Sequence, residues 1–502
     1  MTRMHKKLNL NFHNRMAASP NLHPSSKILI IGSGVFGLST ALWLARSGYT
    51  DVTVLDMQDT ARTGYDPDEI DSASADINKI IRFSYGTEIE YQRLASDAAV
   101  MWEEWNQQLA RAKDEDLPTG LRDWTGERKL WWNVGMLRMS ATDDFSEFEM
   151  RTLENMEKEG IRDRQFKSDD AADLERAKER GWAHKVDPCD REVRFGVHKA
   201  VLDSTAGYVL AYKSCAWARH LAEKAGVRFV LDAEKGRVVK IDEQSGKPRV
   251  TTADGTIHEA DVLVVACGGW TPSLLPELSH LLETTAGSVA TIKIPKSNVE
   301  LWDRFSPQNF PVVTWGMKEG MGIYSFPRDE NGIIKIGYRA TKYTNFDEVD
   351  GRRISVPKTA HVTECKETNV PMKSLQGIKD YINHALPSLA PLGISSTKLC
   401  WYTDSIDNSF LISYLPDKPD DSRSKILVCS GGSGHGFKFL PILGQQVVKI
   451  LESRTEGNVY AYMWAWREAQ KGGKRNGLEE GENGPRVLAK QTMASEKDWV
   501  LQ

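Results

Sequence analysis

The chain of 502 residues has little cysteine, no long apolar run and no excess of basic charge. Its six cysteines, Cys189, Cys215, Cys267, Cys365, Cys400 and Cys429, include no CxxC pair. Such sparse thiols argue against a disulfide scaffold and against a zinc site, and they fit a reducing, cytoplasmic setting with no metal. No stretch of about 18 apolar residues occurs, which excludes a membrane-spanning helix of the usual kind. The formal net charge of -4 gives no broad basic face for nucleic acid. Acid is missing from the first 26 residues, which carry Arg3, Lys6, Lys7 and Arg15; the first acidic residue is Asp51. With so few arginines and no amphipathic stripe, this stretch is expected to be a disordered leader of undefined role rather than a transit peptide, and Met16 is a possible second start. The final residues, KDWVLQ, do not match a peroxisomal SKL signal.

Against these absences stands one dense local pattern, KILIIGSGVFGLSTALWLARSGYTDVTVLD, from Lys27 to Asp56. Four apolar residues predict a buried strand. The turn Gly32-Ser33-Gly34-Val35-Phe36-Gly37 opens a helix to about Arg46, and DVTVLD is a second strand ending at Asp56. The first glycine permits a tight turn, the second lets the backbone approach a pyrophosphate, and the third permits close helix–strand packing. The helix start supplies partial positive charge, and Asp56 stands where a ribose-binding carboxylate is expected. Spacing alone does not separate NAD from FAD.

Further along, residues 88–112 predict a helix rich in tryptophan. MRTLENMEKEG and DDAADLERAKERG read as exposed helices by their charge spacing. A helix of about 17 residues and a strand follow within 203–232. ADVLVVACGGW predicts a buried strand reaching Cys267, and the alternation in VATIKI, PVVTW, MGIYSFP and GIIKIGYRA predicts an antiparallel sheet. SKILVCSGGSGHGFKFLPILGQQVVKILE is again strand, glycine turn and helix. Nucleotide-binding segments are therefore expected at about 27–90, 200–275 and 396–455. A substrate domain is expected at about 91–199 and 276–395, with a polar surface tail from about 468 to 502. The expected fold class is α/β, in two domains (α+β), with a Rossmann-like dinucleotide domain and a mixed-sheet domain.

Five motifs, GSGVFGLSTALWLARSG, INKIIRFSYG, GIYSFP with GIIKIGYR, KLCWYTDSIDNSFLI and SGGSGHGFKFLP, give the chain a strong likeness. It resembles the FAD-dependent amine oxidases that include monomeric sarcosine oxidase, pipecolate oxidase, saccharopine oxidase and the fructosyl-amine oxidases, the fungal members most of all. The resemblance runs from residue 28 to about 452. It implies oxidation of a secondary-amine amino acid to an imine, with dioxygen reduced to hydrogen peroxide.

By that resemblance Cys400 bonds covalently to FAD, Lys335 activates oxygen, and Arg82 with Lys438 clamps the substrate carboxylate. Arginine offers a planar fork and lysine a point charge. Lys79 stands where relatives keep a basic residue over the flavin. Tyr324 lines the substrate pocket. Asn78, Cys267, Gly434, Gly436 and Phe437 join the glycine loop, Asp56 and Lys438 on the cofactor. His435 lies in the loop without a proton-transfer role. Arg339 replaces the histidine of sarcosine oxidase, against a substrate as small as sarcosine. Along GIIKIGY, alternation sets Lys335 on the face of Ile333 and Gly337, opposite Ile334 and Ile336. The resemblance implies a monomer whose partners are a small amino-acid substrate and oxygen. Alternatives at this stage are a fructosyl-amino-acid oxidase, an oxidase of N-methyl aromatic amino acids and, in a different class, a non-catalytic FAD-binding protein or a nicotinamide dehydrogenase.

Overall fold

The computed structural model describes residues 22–501 except 71, 123, 125, 318–319, 360–368, 418–422 and 469–477. Residues 1–21 of the expected leader, with Met16, and Cys365 lie outside the described residues.

The opening strand Lys27–Ile31 is buried along nearly its whole length. It runs parallel to Asp51–Asp56 on one side and Val262–Val265 on the other. An apolar run without alternation is what a parallel strand covered on both faces requires. The sheet has six strands, in the order Leu411–Tyr414, Ile426–Ser430, Val262–Val265, Lys27–Ile31, Asp51–Asp56 and Arg228–Leu231. Only the Leu411–Tyr414 edge is antiparallel to its neighbour. Helix Val35–Arg46 follows the glycine turn, and helix Leu443–Leu451 crosses it closely. A Cβ on Gly444 would sit 2.0 Å from the Ser39 carbonyl oxygen, so this crossing depends on glycine.

The second sheet has eight strands. In order they are Ser396–Ser405, Leu282–Lys293, Ile333–Tyr343, Ile323–Ser325, Val312–Trp315, Met136–Met139, Ala200–Asp203 and Gln165–Lys167. Ala200–Asp203 and Ser396–Ser405, grouped on sequence with the nucleotide segments, are thus strands of this larger sheet. Helix Met372–Ala385 covers its outer face with Leu375, Ile378 and Ile382. A small sheet of Asn78–Ile81, Gly207–Leu210 and Trp131–Trp132 stands between the two.

The tryptophan-rich helix runs from Ile89 to Arg111 and buries Trp102 and Trp105. The helix expected after residue 203 covers Ala211–Lys224, 14 residues rather than about 17. Helices Glu147–Lys158 and Ala171–Glu179 form as expected, each burying a narrow stripe. The polar C-terminal stretch reads as a surface tail, yet residues 486–501 are stitched to the core. Val487 bridges Thr344, Met493 bridges Pro371, and Arg486 pairs with Glu283 at 3.0 Å. Leu488 and Ala494 are buried. A few well-placed apolar residues anchor a segment whose average composition is polar. Among the described residues, no helix is long and apolar enough to cross a membrane, and no cluster of metal-ligating side chains occurs.

Candidate active site

A cavity of about 1260 Å³ lies between the two large sheets. Nearly all the residues singled out in the sequence line it: Gly32 to Phe36, Asp56, Asn78, Lys79, Arg82, Cys267, Tyr324, Arg339, Cys400, Gly434 and Gly436 to Lys438. The exceptions are Gly37 and Lys335.

Gly37 is a packing residue. Its Cβ would fall 1.9 Å from the Gly32 carbonyl oxygen. Gly32 itself has φ of +103°, and a Cβ there would meet the Ala266 carbonyl oxygen at 2.5 Å. Only glycine fits either place. The backbone N–H and hydroxyl of Ser33 donate to Asp56 Oδ2 at 2.6 and 2.9 Å. Burial raises the Asp56 carboxyl, partly offset by these bonds. At this end Gly236, Arg237 and Val238 complete the wall. The bare backbone of the loop, the start of a 12-residue helix and a carboxylate after the second strand make a cradle for a dinucleotide. The Asn78 Oδ1 atom is buried without a partner and belongs to a cavity-lining side chain. These features fit FAD.

The roof of the other end follows from strand register. Cys400 is opposite Gly287, Tyr324 opposite Gly337 and Thr314, and Thr314 opposite Arg138. Lys335 and Arg339 flank Gly337 at period two, so they share its face. A Cβ on Gly337 would lie 2.1 Å from the Tyr324 ring; the glycine lets that ring lie across the strand.

Lys335 is wholly buried. Its ammonium donates to Asp76 Oδ2 and to the Asn78 carbonyl, both at 2.7 Å. It lines a second cavity of about 430 Å³ rather than the larger one. Lys79 donates to the same Asp76 oxygen at 2.6 Å and reaches Cys400 Sγ at 3.7 Å. Burial would raise the Asp76 carboxyl, but the two ammonium groups hold it well below the usual range. Burial would lower Lys79, but Asp76 and Cys400 hold it above its ordinary value. Lys335 goes the other way: burial, with Lys79 nearby, brings it down to about 8. One carboxylate thus serves two lysines, and the more deeply enclosed one is the easier to deprotonate.

At the glycine-rich turn, Lys438 is only 2% exposed. It donates to Tyr85 Oη and to the His435 carbonyl, both at 2.8 Å. Arg82 lies over the same Tyr85 ring at 4.3 Å and donates to the Ser84 carbonyl. Burial, then the charges of Arg82 and Arg339, push Lys438 well below the ordinary lysine range. His435 is fixed by Tyr85 at 3.2 Å and the Asn408 carbonyl at 2.9 Å, and burial with nearby cations keeps it from protonating. The Trp102 indole donates to the Lys438 carbonyl at 2.8 Å and anchors the turn from the long helix.

Cys267 also lines the cavity, but its thiol faces the Ile31 carbonyl at 3.4 Å, and burial pushes it up. Cys215 is buried against Ser74, and Cys429 is buried in the sheet. Sequence reasoning missed Asp76, Tyr85 and Trp102. Tyr85 lies within the INKIIRFSYG motif and Asp76 immediately before it, which was the available signal. Nothing local marked Trp102.

A family model described as FAD dependent oxidoreductase matches residues 27–450. The chain is 26% identical to L-saccharopine oxidase of Schizosaccharomyces pombe, over 89% of this chain and 94% of that protein. It is 22% identical to monomeric sarcosine oxidase of a Bacillus species, over 86% of this chain and 94% of the relative. Among solved structures, a modified fructosyl peptide oxidase from Aspergillus nidulans superposes with a TM-score of 0.74 at 26% identity, covering 94% of this chain and 99% of that one.

Proposed function

The chain belongs to the FAD dependent oxidoreductase family, and from that premise we propose that it oxidises the C–N bond of a secondary-amine amino acid, N-alkyl or cyclic, to an imine while reducing dioxygen to hydrogen peroxide. The observation that carries this reading is the placement of Arg82 and Lys438 around Tyr85, inside the cavity that also holds the dinucleotide cradle and Cys400. Two cations in an enclosed space call for an anion.

Bound FAD would accept a hydride equivalent from the carbon beside the amine nitrogen and pass the electrons to oxygen. The protein's part is orientation and charge. Arg82 and Lys438 hold the substrate carboxylate, with the Lys438 ammonium itself held by Tyr85 and the His435 carbonyl. Tyr324 walls the site beside Gly337. Cys400, exposed to the cavity next to Lys79, is the residue that would carry a thioether to the cofactor. The Lys79–Asp76–Lys335 group supplies positive potential for oxygen reduction. Its two ammonium groups outnumber the one carboxylate between them.

The structural likeness to a fructosyl peptide oxidase supports a second reading, an oxidase of fructosyl amino acids with the same chemistry and a bulkier amine substituent. Peroxide release from pipecolate, saccharopine, sarcosine, N-methyl aromatic amino acids and fructosyl-valine separates the two. Turnover of fructosyl-valine alone would favour the second reading. No peroxide from any, with FAD bound, would remove both.

A further inference from the structure

The turn at 433–438 brings a third cation to the proposed carboxylate site. Arg339, on the same strand as Lys335 and Gly337 and on their face, extends its guanidinium to the carbonyls of Gly434 and Ser433 at 3.4 and 3.5 Å. Lys438 donates to the next carbonyl, that of His435, at 2.8 Å. Arg339 and Lys438 therefore share one short loop, and Lys438 and Arg82 share one tyrosine, Tyr85. No ion pair joins Arg82, Arg339 or Lys438 to any described carboxylate. Of the acids that stand near, three are engaged elsewhere. Asp404, whose charge reaches Arg339, is held by Lys342 at 3.0 Å and Thr285 at 2.7 Å. Glu149 is held by Arg138 at 2.6 Å, and Asp407 by Arg467 at 2.7 Å. The two carbonyl contacts of Arg339 are at the long limit of hydrogen bonding, and its buried Nε makes no hydrogen bond, while the guanidinium lies over the Tyr402 ring at 5.4 Å.

A single carboxylate has two oxygens. In the clamp reading Arg82 and Lys438 together satisfy them, which leaves Arg339, on the same cavity, with carbonyl and ring contacts but no carboxylate in contact. Arg339 is partly buried, and enclosing a charge with no carboxylate in contact is costly. Burial and the charges of Arg82 and Arg339 depress Lys438, whereas Arg339, which burial would lower, is held above its ordinary value by Tyr402 and Asp404.

We propose that the substrate carries two acidic groups, one held by Arg82 and Lys438 and the second by Arg339, so that the natural substrate is a dicarboxylic secondary amine. This inference rests on the reading of Arg82 and Lys438 as a carboxylate clamp. The second acid belongs on the amine substituent or the side chain, since the first is the α-carboxylate. Recognition by a planar fork at this place selects a second oxyanion over a neutral or cationic group, because an oxyanion accepts two charge-assisted hydrogen bonds from it and a cation is repelled.

The test uses the FAD-loaded protein and inert ligands: butyrate as the monocarboxylate, with succinate, glutarate and adipate as dicarboxylates of graded length. All are titrated at constant pH and ionic strength. Binding is read from perturbation of the flavin absorption spectrum and, independently, from the shift in thermal unfolding midpoint. The best dicarboxylate should bind about tenfold or more tightly than butyrate, the worth of one added charge-assisted contact. Arg339→Gln should collapse that preference to below about threefold, and Arg339→Lys should keep most of it. If butyrate binds and no dicarboxylate exceeds it in the wild type, the second acid is wrong while the clamp stands. If Arg339→Gln weakens both classes by the same factor, Arg339 serves the cofactor or the loop, and the proposal falls. If neither class binds, the clamp reading fails and takes this inference with it. Should Arg339→Gln lose FAD, the wild-type series and Arg339→Lys still decide.

Discussion

The Lys335 ammonium donates to Asp76 Oδ2 at 2.7 Å, from a strand of the roof sheet to the approach of the small central sheet 259 residues earlier in the chain. The same oxygen takes the Lys79 ammonium at 2.6 Å. The first prediction concerns which lysine keeps its proton. Burial, opposed by Asp76 and reinforced by Lys79, brings Lys335 down to about 8, whereas Lys79 is held above its ordinary value and stays charged throughout the working range. If Lys335 supplies the charge that favours oxygen reduction, reoxidation of the reduced enzyme should slow as pH rises through about 8. Lys335→Met should be slow and flat with pH, by roughly a hundredfold or more at neutral pH, the scale of a well-placed charge in a dry site. Stopped-flow mixing with oxygen reads this directly. Equal losses in substrate reduction and in reoxidation would count against the role.

Asp76→Asn gives a second prediction with a definite sign. The carboxylate raises Lys335 relative to burial alone. Without it, two ammonium groups face each other with no counter-charge, and Lys335 must deprotonate more readily. The fall in reoxidation rate should then begin at lower pH than in the wild type, by about a unit or more. An unmoved pH profile would mean that Asp76 is only a structural tether.

Removal of the Cys400 thiol is a third prediction. Cys400→Ser should bind FAD yet release it on acid precipitation, while the wild-type precipitate stays yellow. Cys267 and Cys429 also line the cavity, but burial pushes both thiols up, Cys429 to about 12, which disfavours thiolate chemistry at either. Flavin retained by denatured Cys400→Ser would move the link to one of them.

The parts of this molecule that could be read from sequence are those set by local pattern. Lys27–Asp56 announces its strands and turn because the apolar run, the glycines and Asp56 each answer to one steric demand. The two halves of the site, at 78–82 and 431–438, were legible as motifs, and the fold closes the distance between them. Depth was not legible. Alternation puts Lys335 on the same face as Gly337 but does not say what packs over it, and the partner proved to be Asp76. Nor does period-two patterning show that Ser396–Ser405 leaves the nucleotide segment to pair with Leu282–Lys293. The tail shows the limit of composition, since Val487, Leu488 and Ala494 outweigh many polar neighbours in deciding where it lies.

The last prediction concerns Lys438, whose ammonium is held by Tyr85 yet lies well below the ordinary lysine range through burial and the charges of Arg82 and Arg339. An incoming carboxylate stabilises the charged form and raises it again. Over the pH window between the depressed value and the restored one, ligand binding must therefore take up a proton, up to one per site. Below that window the lysine is already charged, and affinity is independent of this group. Within it, affinity for a carboxylate should weaken as pH rises, at most tenfold per unit. Titration calorimetry in two buffers of different ionisation heat counts the protons. Lys438→Met should abolish the uptake and weaken carboxylate binding by roughly 2–5 kcal/mol, the cost of leaving a partly dry anion half-paired. Arg82→Ala should weaken binding as strongly but retain uptake over a window shifted to higher pH, since a repelling charge is gone. The double variant should lose less than the sum, because both cations act on one group. Proton uptake that persists in Lys438→Met would place the titrating group elsewhere and leave Lys438 as an anchor of the turn.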